Sequence, residues 1–193
     1  MARLILIRHG ESVANAERRF TVGPHEPLTP RGREEARAIA QVVSERFDPA
    51  ALYASPFVRA LETAEHLART LGLVTRVIDE LREQDFGALR GRSYAEYTVD
   101  PSARGIGRWS HRPPEGETLE EVALRAGPAL DAIAGAHPGE DVLVVSHGGV
   151  MAALRGFAAG HFGDAPVPTA NCAGYLLVRT TAGWRDEGPV TTE

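Results

Sequence analysis

The chain has 193 residues, 43% apolar and 24% charged, a size and composition that suit one globular domain with a full core. No apolar run approaches the ~20 residues needed to span a bilayer, and the run Leu4 to Ile7 is too short for a signal-peptide core, so a cytoplasmic protein with no membrane partner is expected. A net charge of −5 argues against a general nucleic-acid binder, and the single cysteine, Cys172, excludes an intrachain disulfide and a thiolate zinc cage.

Arg3 to Arg8 (RLILIR) is a short apolar run and reads as a buried strand. Thr29-Pro30 opens a helix, with Thr29 as cap and Pro30 at the first helical position. Ala36, Ile39, Ala40, Val43 and Phe47 then recur at helical spacing, with charges between them. Ala51 to Ala54 is a second short strand. Ser55-Pro56 repeats the cap-plus-proline opening, and Ala60, Leu61, Ala64, Leu67, Ala68 and Leu71 supply the apolar stripe of the helix that follows. Thr75 to Ile78 is a third strand. Residues 99–117 are rich in Gly, Pro, Arg and Ser, the composition of a long surface loop or lid. Thr118 with Glu121 forms a capping box for a helix carrying Val122, Ala126, Leu130 and Ile133. Gly127-Pro128 is expected to kink or break that helix. Asp141 to Ser146 (DVLVVS) is the clearest buried strand; His147-Gly148-Gly149 follows, then a helix through Met151, Leu154 and Phe157. Tyr175 to Val178 and the segment around Trp184 are late strands. Cys172 reads as a small, half-buried filler. Short apolar strands alternating with amphipathic helices indicate an α/β layer fold with a mostly parallel central sheet, whose sites gather at the carboxyl ends of the strands.

The unusual residues fall at those ends. Arg8-His9 follows the first strand, Ser55 and Arg59 the second, Glu80 and Glu83 the third, and His147-Gly148-Gly149 the fourth. Taken singly, each has a plain explanation as a surface charge or a structural histidine. Four polar sites at four strand ends form a pattern that independent accidents do not make. Two His, two Arg and a Glu in one crevice suit phosphoryl transfer, where catalysis is positioning plus charge stabilisation. A guanidinium binds phosphate oxygens in pairs. A neutral imidazole is a nucleophile, and Arg8 and Arg59 nearby would keep His9 neutral. A carboxyl group can protonate the departing alkoxide. Gly148 and Gly149 at a helix start offer backbone N–H groups to an anion.

Leu6 to Asn15 (LIRHGESVAN) resembles the signature of the histidine phosphatase superfamily, the phosphoglycerate-mutase-like proteins. Five further segments match in family order: Leu28 to Gly32, Tyr53 to Ala64, Leu81 to Gly91, Pro114 to Thr118 and Val144 to Gly148. The resemblance implies a three-layer α/β/α sandwich in a single domain, 1–193, and a chemistry without metal or other cofactor. By motif, His9 would be the phosphorylated nucleophile. Arg8, Arg59 and His147 would hold the phosphoryl oxygens, with Asn15 and Gly148 adding phosphate contacts. Glu83 would be proton donor, then base. The chain departs from the pattern at Arg33-Glu34-Glu35, where the family usually has a Gln-containing turn. In the loop 99–117, Arg104, Arg108 and Arg112 are candidates to touch a distal anion of a small phosphorylated substrate. The family's mutases carry a larger insertion about here, so the short loop favours a phosphatase over a 2,3-bisphosphoglycerate-dependent mutase. A non-catalytic phospho-ligand-binding protein is the remaining alternative. A metallohydrolase is disfavoured: no two of the seven histidines have helical metal-site spacing. An exposed apolar sheet edge would support a homodimer.

Overall fold

Leu4, Ile5, Leu6 and Ile7 are at most 1% exposed, so the strand they form has no wet face. In the computed structural model, which describes residues 1–98 and 101–192, that strand is β1 (Ala2–Arg8). It is followed by α1 (Val13–Ala16), α2 (Pro30–Arg46), β2 (Pro49–Ala54), α3 (Val58–Leu71), β3 (Thr75–Val77) and α4 (Tyr94–Thr98). Then come α5 (Leu119–Ala136), β4 (Asp141–Ser146), α6 (Gly148–Ala159), β5 (Gly174–Thr180) and β6 (Gly183–Val190). The six strands form one sheet in the order β3-β2-β4-β1-β5-β6. β3, β2, β4 and β1 run parallel; β5 lies antiparallel to β1, and β6 to β5.

Strand alternation sorts the core into two layers. Leu4, Leu6, Tyr53, Val142 and Val144 pack with Val122, Ala126, Leu130 and Ile133 of α5 and Met151 and Leu154 of α6. Ile5, Ile7, Leu52, Leu143 and Val145 pack with Ala36, Ile39 and Val43 of α2 and Ala60, Ala64 and Leu67 of α3. The sandwich is therefore α/β/α. Each fully buried Leu or Ile contributes about 1.5–3 kcal/mol relative to exposure.

The helix openings follow local chemistry at two of three places. Thr29 Oγ1 accepts from the Gly32 N–H, and Thr118 and Glu121 form a reciprocal capping box. The Ser55-Pro56 opening is corrected: α3 begins at Val58, its N-cap is Phe57, and no side chain caps it. Ser55 Oγ is instead occupied by the His147 ring, 2.6 Å away. The expected break at Gly127-Pro128 is also absent, and α5 runs through both. Leu124, whose carbonyl loses its helical partner to the proline, is 74% exposed and so lies on the outer face of α5. Gly127 sits under the Phe157 ring of α6; a Cβ there would lie 2.3 Å from a ring carbon.

The expected surface loop is more structured than its composition suggests. Val99 and Asp100 lie outside the described residues. Beyond them, two short 3₁₀ turns, Pro101–Ala103 and Gly105–Arg108, lead to Trp109, which is only 4% exposed. Its indole packs on Phe162 and its Nε1 donates to the Asp164 carbonyl at 2.6 Å. One aromatic anchor thus ties this segment to the chain after α6. Cys172 is buried rather than half-buried. Among the described residues no helix is long and apolar enough to cross a membrane.

Candidate active site

The carboxyl ends of β1, β2 and β4 are neighbours in the sheet, so the residues just beyond them must meet. His9 follows β1 and His147 follows β4. Both are buried, and their ring centroids are 5.1 Å apart. Arg59, in the first turn of α3, reaches between the helices and donates from Nε to His9 Nε2 at 3.1 Å. The turn after β1 is held by a close approach of two backbones. A Cβ on Gly10 would lie 2.3 Å from the Gly32 carbonyl oxygen, so glycine is required there. Thr63 Oγ1 accepts from the Gly10 N–H at 3.1 Å and fixes the same turn from α3.

These contacts set the state of His9. Its Nδ1 is 2.7 Å from the Gly10 carbonyl, which can only accept, so Nδ1 carries the proton. Nε2 therefore holds the lone pair, consistent with its accepting from Arg59. Burial first, then the charges of Arg59 and Arg8, hold the His9 pKa well below the usual imidazole value. His147 is lowered by burial and then by Arg59, His9 and Arg8. Both rings are neutral in the resting site. His147 Nε2 is paired with Ser55 Oγ, while its Nδ1 is buried with no hydrogen-bond partner.

A cavity of about 380 Å³ opens over His9, lined also by Arg8, Asn15, Arg59, Glu83, Arg108, Gly148 and Gly149, among others; His147 lies behind its wall, fully buried. Arg8 donates one Nη1 bond to the Thr169 carbonyl at 2.5 Å, and its Nε is buried without a partner. Among the described residues, Arg8, Arg59 and Arg108 form no direct ion pair, and three guanidinium groups against the one Glu83 carboxyl leave the cavity lining net positive. Glu83 faces the first turn of α6; a Cβ on Gly149 would lie 2.8 Å from its Oε1. Asn15 is held by the α1 capping box with Ser12. Among the described residues, no group of three or more His, Cys, Asp or Glu is arranged to hold a metal ion.

The three loop arginines part company. Arg108 lines the cavity, donates from Nη2 to Gln84 Oε1 at 2.6 Å, and leaves Nη1 buried without a partner. Arg112 turns away, bonding the Gly116 carbonyl at 2.8 Å and pairing with Glu121. Arg104 does not line the cavity either. Of the three candidates Arg108 lines the cavity, whereas Arg112 is held by the α5 capping carboxylate and Arg104 precedes the 3₁₀ turn that carries Arg108 inward.

The family model of the histidine phosphatase superfamily (branch 1) matches residues 4–187. The chain belongs to this superfamily. A bifunctional protein of Mycobacterium tuberculosis is 37% identical over 150 residues, which cover 75% of this chain but 41% of that relative. This chain therefore spans about two fifths of the length of that relative. A metal-independent phosphoserine phosphatase of Arabidopsis thaliana is 34% identical, covering 80% of this chain and 67% of its own. A 2,3-bisphosphoglycerate-dependent phosphoglycerate mutase of Gloeobacter violaceus is 32% identical, covering 80% and 74%. Among solved structures, a mycobacterial glucosyl-3-phosphoglycerate phosphatase in complex with VO3 is similar, with a TM-score of 0.84, 28% identity and coverage of 96% and 97%.

Several residues of this superfamily member's site escaped the sequence reading. Ser55, placed at a strand end by the sequence but given no role there beyond a helix cap, bonds the second histidine. Thr169 and Asn171 come from a segment without regular structure between α6 and β5. Asn171 Nδ2 donates to the His9 carbonyl at 3.0 Å and to Asn15 Oδ1 at 3.1 Å. Tyr94 and Gln84 reach the cavity or its arginine. Only the serine carried a signal, its fixed place after a strand.

Proposed function

We propose that this chain is a phosphatase that hydrolyses a small phosphorylated metabolite in the cytoplasm through a phosphohistidine on His9, without a metal. One observation carries the reading: His9 Nε2 is an unprotonated lone pair inside a cavity of unpaired guanidinium groups. The phosphoryl group enters as an anion and draws Arg8 and Arg59 onto its oxygens. Arg59 then releases Nε2, which attacks phosphorus as the ester P–O bond breaks. Glu83, as general acid, gives a proton to the departing alkoxide. As carboxylate it next takes a proton from water, whose oxygen attacks phosphorus and breaks the P–N bond. Inorganic phosphate and free His9 result. Arg8, Arg59, the His147 ring and the Gly148 N–H supply the charge stabilisation a metal would otherwise provide, and Asn15 adds a neutral donor.

Substrate choice is assigned to Arg108, whose free Nη1 would take a second anionic group on the leaving alcohol. Phosphoserine, phosphoglycerate and glucosyl-3-phosphoglycerate, the compounds in the relatives' names, all carry a carboxylate near the phosphate ester. The mutase reading shares every catalytic group. The brevity of the segment between α4 and α5 favours hydrolysis, because less chain covers the phosphoenzyme against water. Phosphate release from p-nitrophenyl phosphate and from 3-phosphoglycerate, with and without 2,3-bisphosphoglycerate and in excess EDTA, tests the proposal. Hydrolysis should persist in EDTA, need no bisphosphate, leave an acid-labile phosphoenzyme and vanish in His9→Ala. Wild-type turnover by His9→Ala would remove the mechanism.

A further inference from the structure

Asn15 lines the cavity, and its amide can be oriented from its neighbours. Its Oδ1 receives two donors, the Ser12 N–H at 3.2 Å and Asn171 Nδ2 at 3.1 Å. Neither can accept, so the oxygen faces them and the NH2 group faces the other way. There Nδ2 donates to the Tyr94 hydroxyl at 3.2 Å. Tyr94 Oη therefore spends a lone pair on Asn15 and keeps its own proton. Among the described residues no acceptor takes that proton, and Tyr94 itself lines the cavity.

The phenol is also held still. The Tyr94 N–H donates to the Arg18 carbonyl at 3.0 Å, Ser93 bridges to Arg19, and the ring packs edge-on against Phe20 at 5.0 Å. Phe20 in turn meets Phe86 and Tyr97. Two donors, the second Nδ2 proton of Asn15 and the Tyr94 hydroxyl, thus sit 3.2 Å apart on one wall. That separation lets both reach a single oxygen at ordinary hydrogen-bond length. Asn171 couples the wall to the nucleophile, because the same amide also holds the His9 carbonyl.

We propose that Tyr94 is a further phosphoryl-binding residue, its hydroxyl donating together with the Asn15 amide to one oxygen of the transferred group. The inference rests on the phosphatase reading for its chemistry but is tested by binding, which needs no turnover. Two neutral donors complement the guanidinium groups: they fix an oxygen by direction where the cations attract by charge. No motif quoted for the family contains this tyrosine, which opens α4 and lines the cavity.

The test is Tyr94→Phe, which keeps the ring and its packing on Phe20 and removes one oxygen. Affinity for inorganic phosphate is measured by titration calorimetry on wild type and variant, with thermal unfolding as a check on folding. A lost hydrogen bond to a charged acceptor should weaken phosphate binding by about 10- to 100-fold. kcat/KM should fall by a similar factor for p-nitrophenyl phosphate and for 3-phosphoglycerate alike, because the contact is to the group they share. In the Asn15→Ala/Tyr94→Phe pair, the double variant should lose less than the product of the single losses. Unchanged phosphate affinity in a folded Tyr94→Phe protein overturns the inference. So does a defect confined to one substrate, which would put the hydroxyl on the leaving group. Wild type that binds phosphate but turns over nothing would sink the phosphatase reading and leave this one standing.

Discussion

His9 owes its readiness to two separate causes, and they can be pulled apart. Burial is the larger and the charges of Arg59 and Arg8 the smaller, and both disfavour the imidazolium. Ring-nitrogen NMR of the resting protein should therefore find His9 still neutral at pH 6, below the ordinary imidazole value. Arg59→Met should move that titration upward, because one cation is gone, yet leave it short of the ordinary value, because burial remains. An unmoved titration in the variant would show that Arg59 does not act on the ring. At this scale the sequence was most informative where a polar residue ends an apolar strand, as His9 and His147 do; Glu83 lies six residues beyond the short, largely exposed β3. Tyr94, Thr169 and Asn171 carry no such mark. They reach the site only because irregular segments fold back over the strand ends, a tertiary fact with no local pattern.

Helices and strands were readable wherever burial imposes a period. β4 was legible to the residue, since DVLVVS is apolar on both faces and stops at a histidine. Both capping motifs with a threonine held, because a hydroxyl beside free helical N–H groups has nothing better to bond. Ser55 Oγ meets a ring nitrogen brought from the far end of β4 and also accepts from the N–H of Phe57, the N-cap, so it supports the turn before α3 without capping the helix itself. Gly127-Pro128 misled for a related reason. The local cost of the pair is met by its setting: the exposed residue Leu124 on one side and the Phe157 ring filling the glycine on the other. Gly127→Ala tests that packing. The added methyl improves helix propensity by about 1 kcal/mol but meets the ring, and overpacking costs about 1–3 kcal/mol. Urea unfolding should show a net loss of stability with α5 content retained by circular dichroism. A gain would mean that α5 and α6 separate easily.

The whole molecule stores two buried, neutral imidazoles. Unfolding frees both to protonate at their ordinary value of about 6.5. Below that pH the unfolded chain binds more protons than the folded one, so stability falls as pH drops. Each ring should take away on the order of 1.4 kcal/mol per pH unit between about pH 6.5 and its folded value. Denaturant midpoints measured from pH 7.5 to 5.5 should be level at first and then decline, and His9→Gln should flatten the slope. A midpoint that rises through that window would contradict neutral, buried rings. The α/β alternation and the parallel sheet were legible from the pattern of apolar runs, whereas the antiparallel turn of β5 and β6 was not, since direction is set by the length of the connection rather than by strand composition. β1 lies between β4 and β5, and the ion pair from Arg3 to Asp141 bridges 138 positions of sequence. Of the strands in this sheet, β1 is the earliest in sequence, and it waits for strands more than 130 residues later before either flank is covered. A nascent chain cut short of residue 141 would leave the RLILIR segment unpaired on both sides, sticky and chemically inert, so any chaperone that attends this protein should be engaged early and released late.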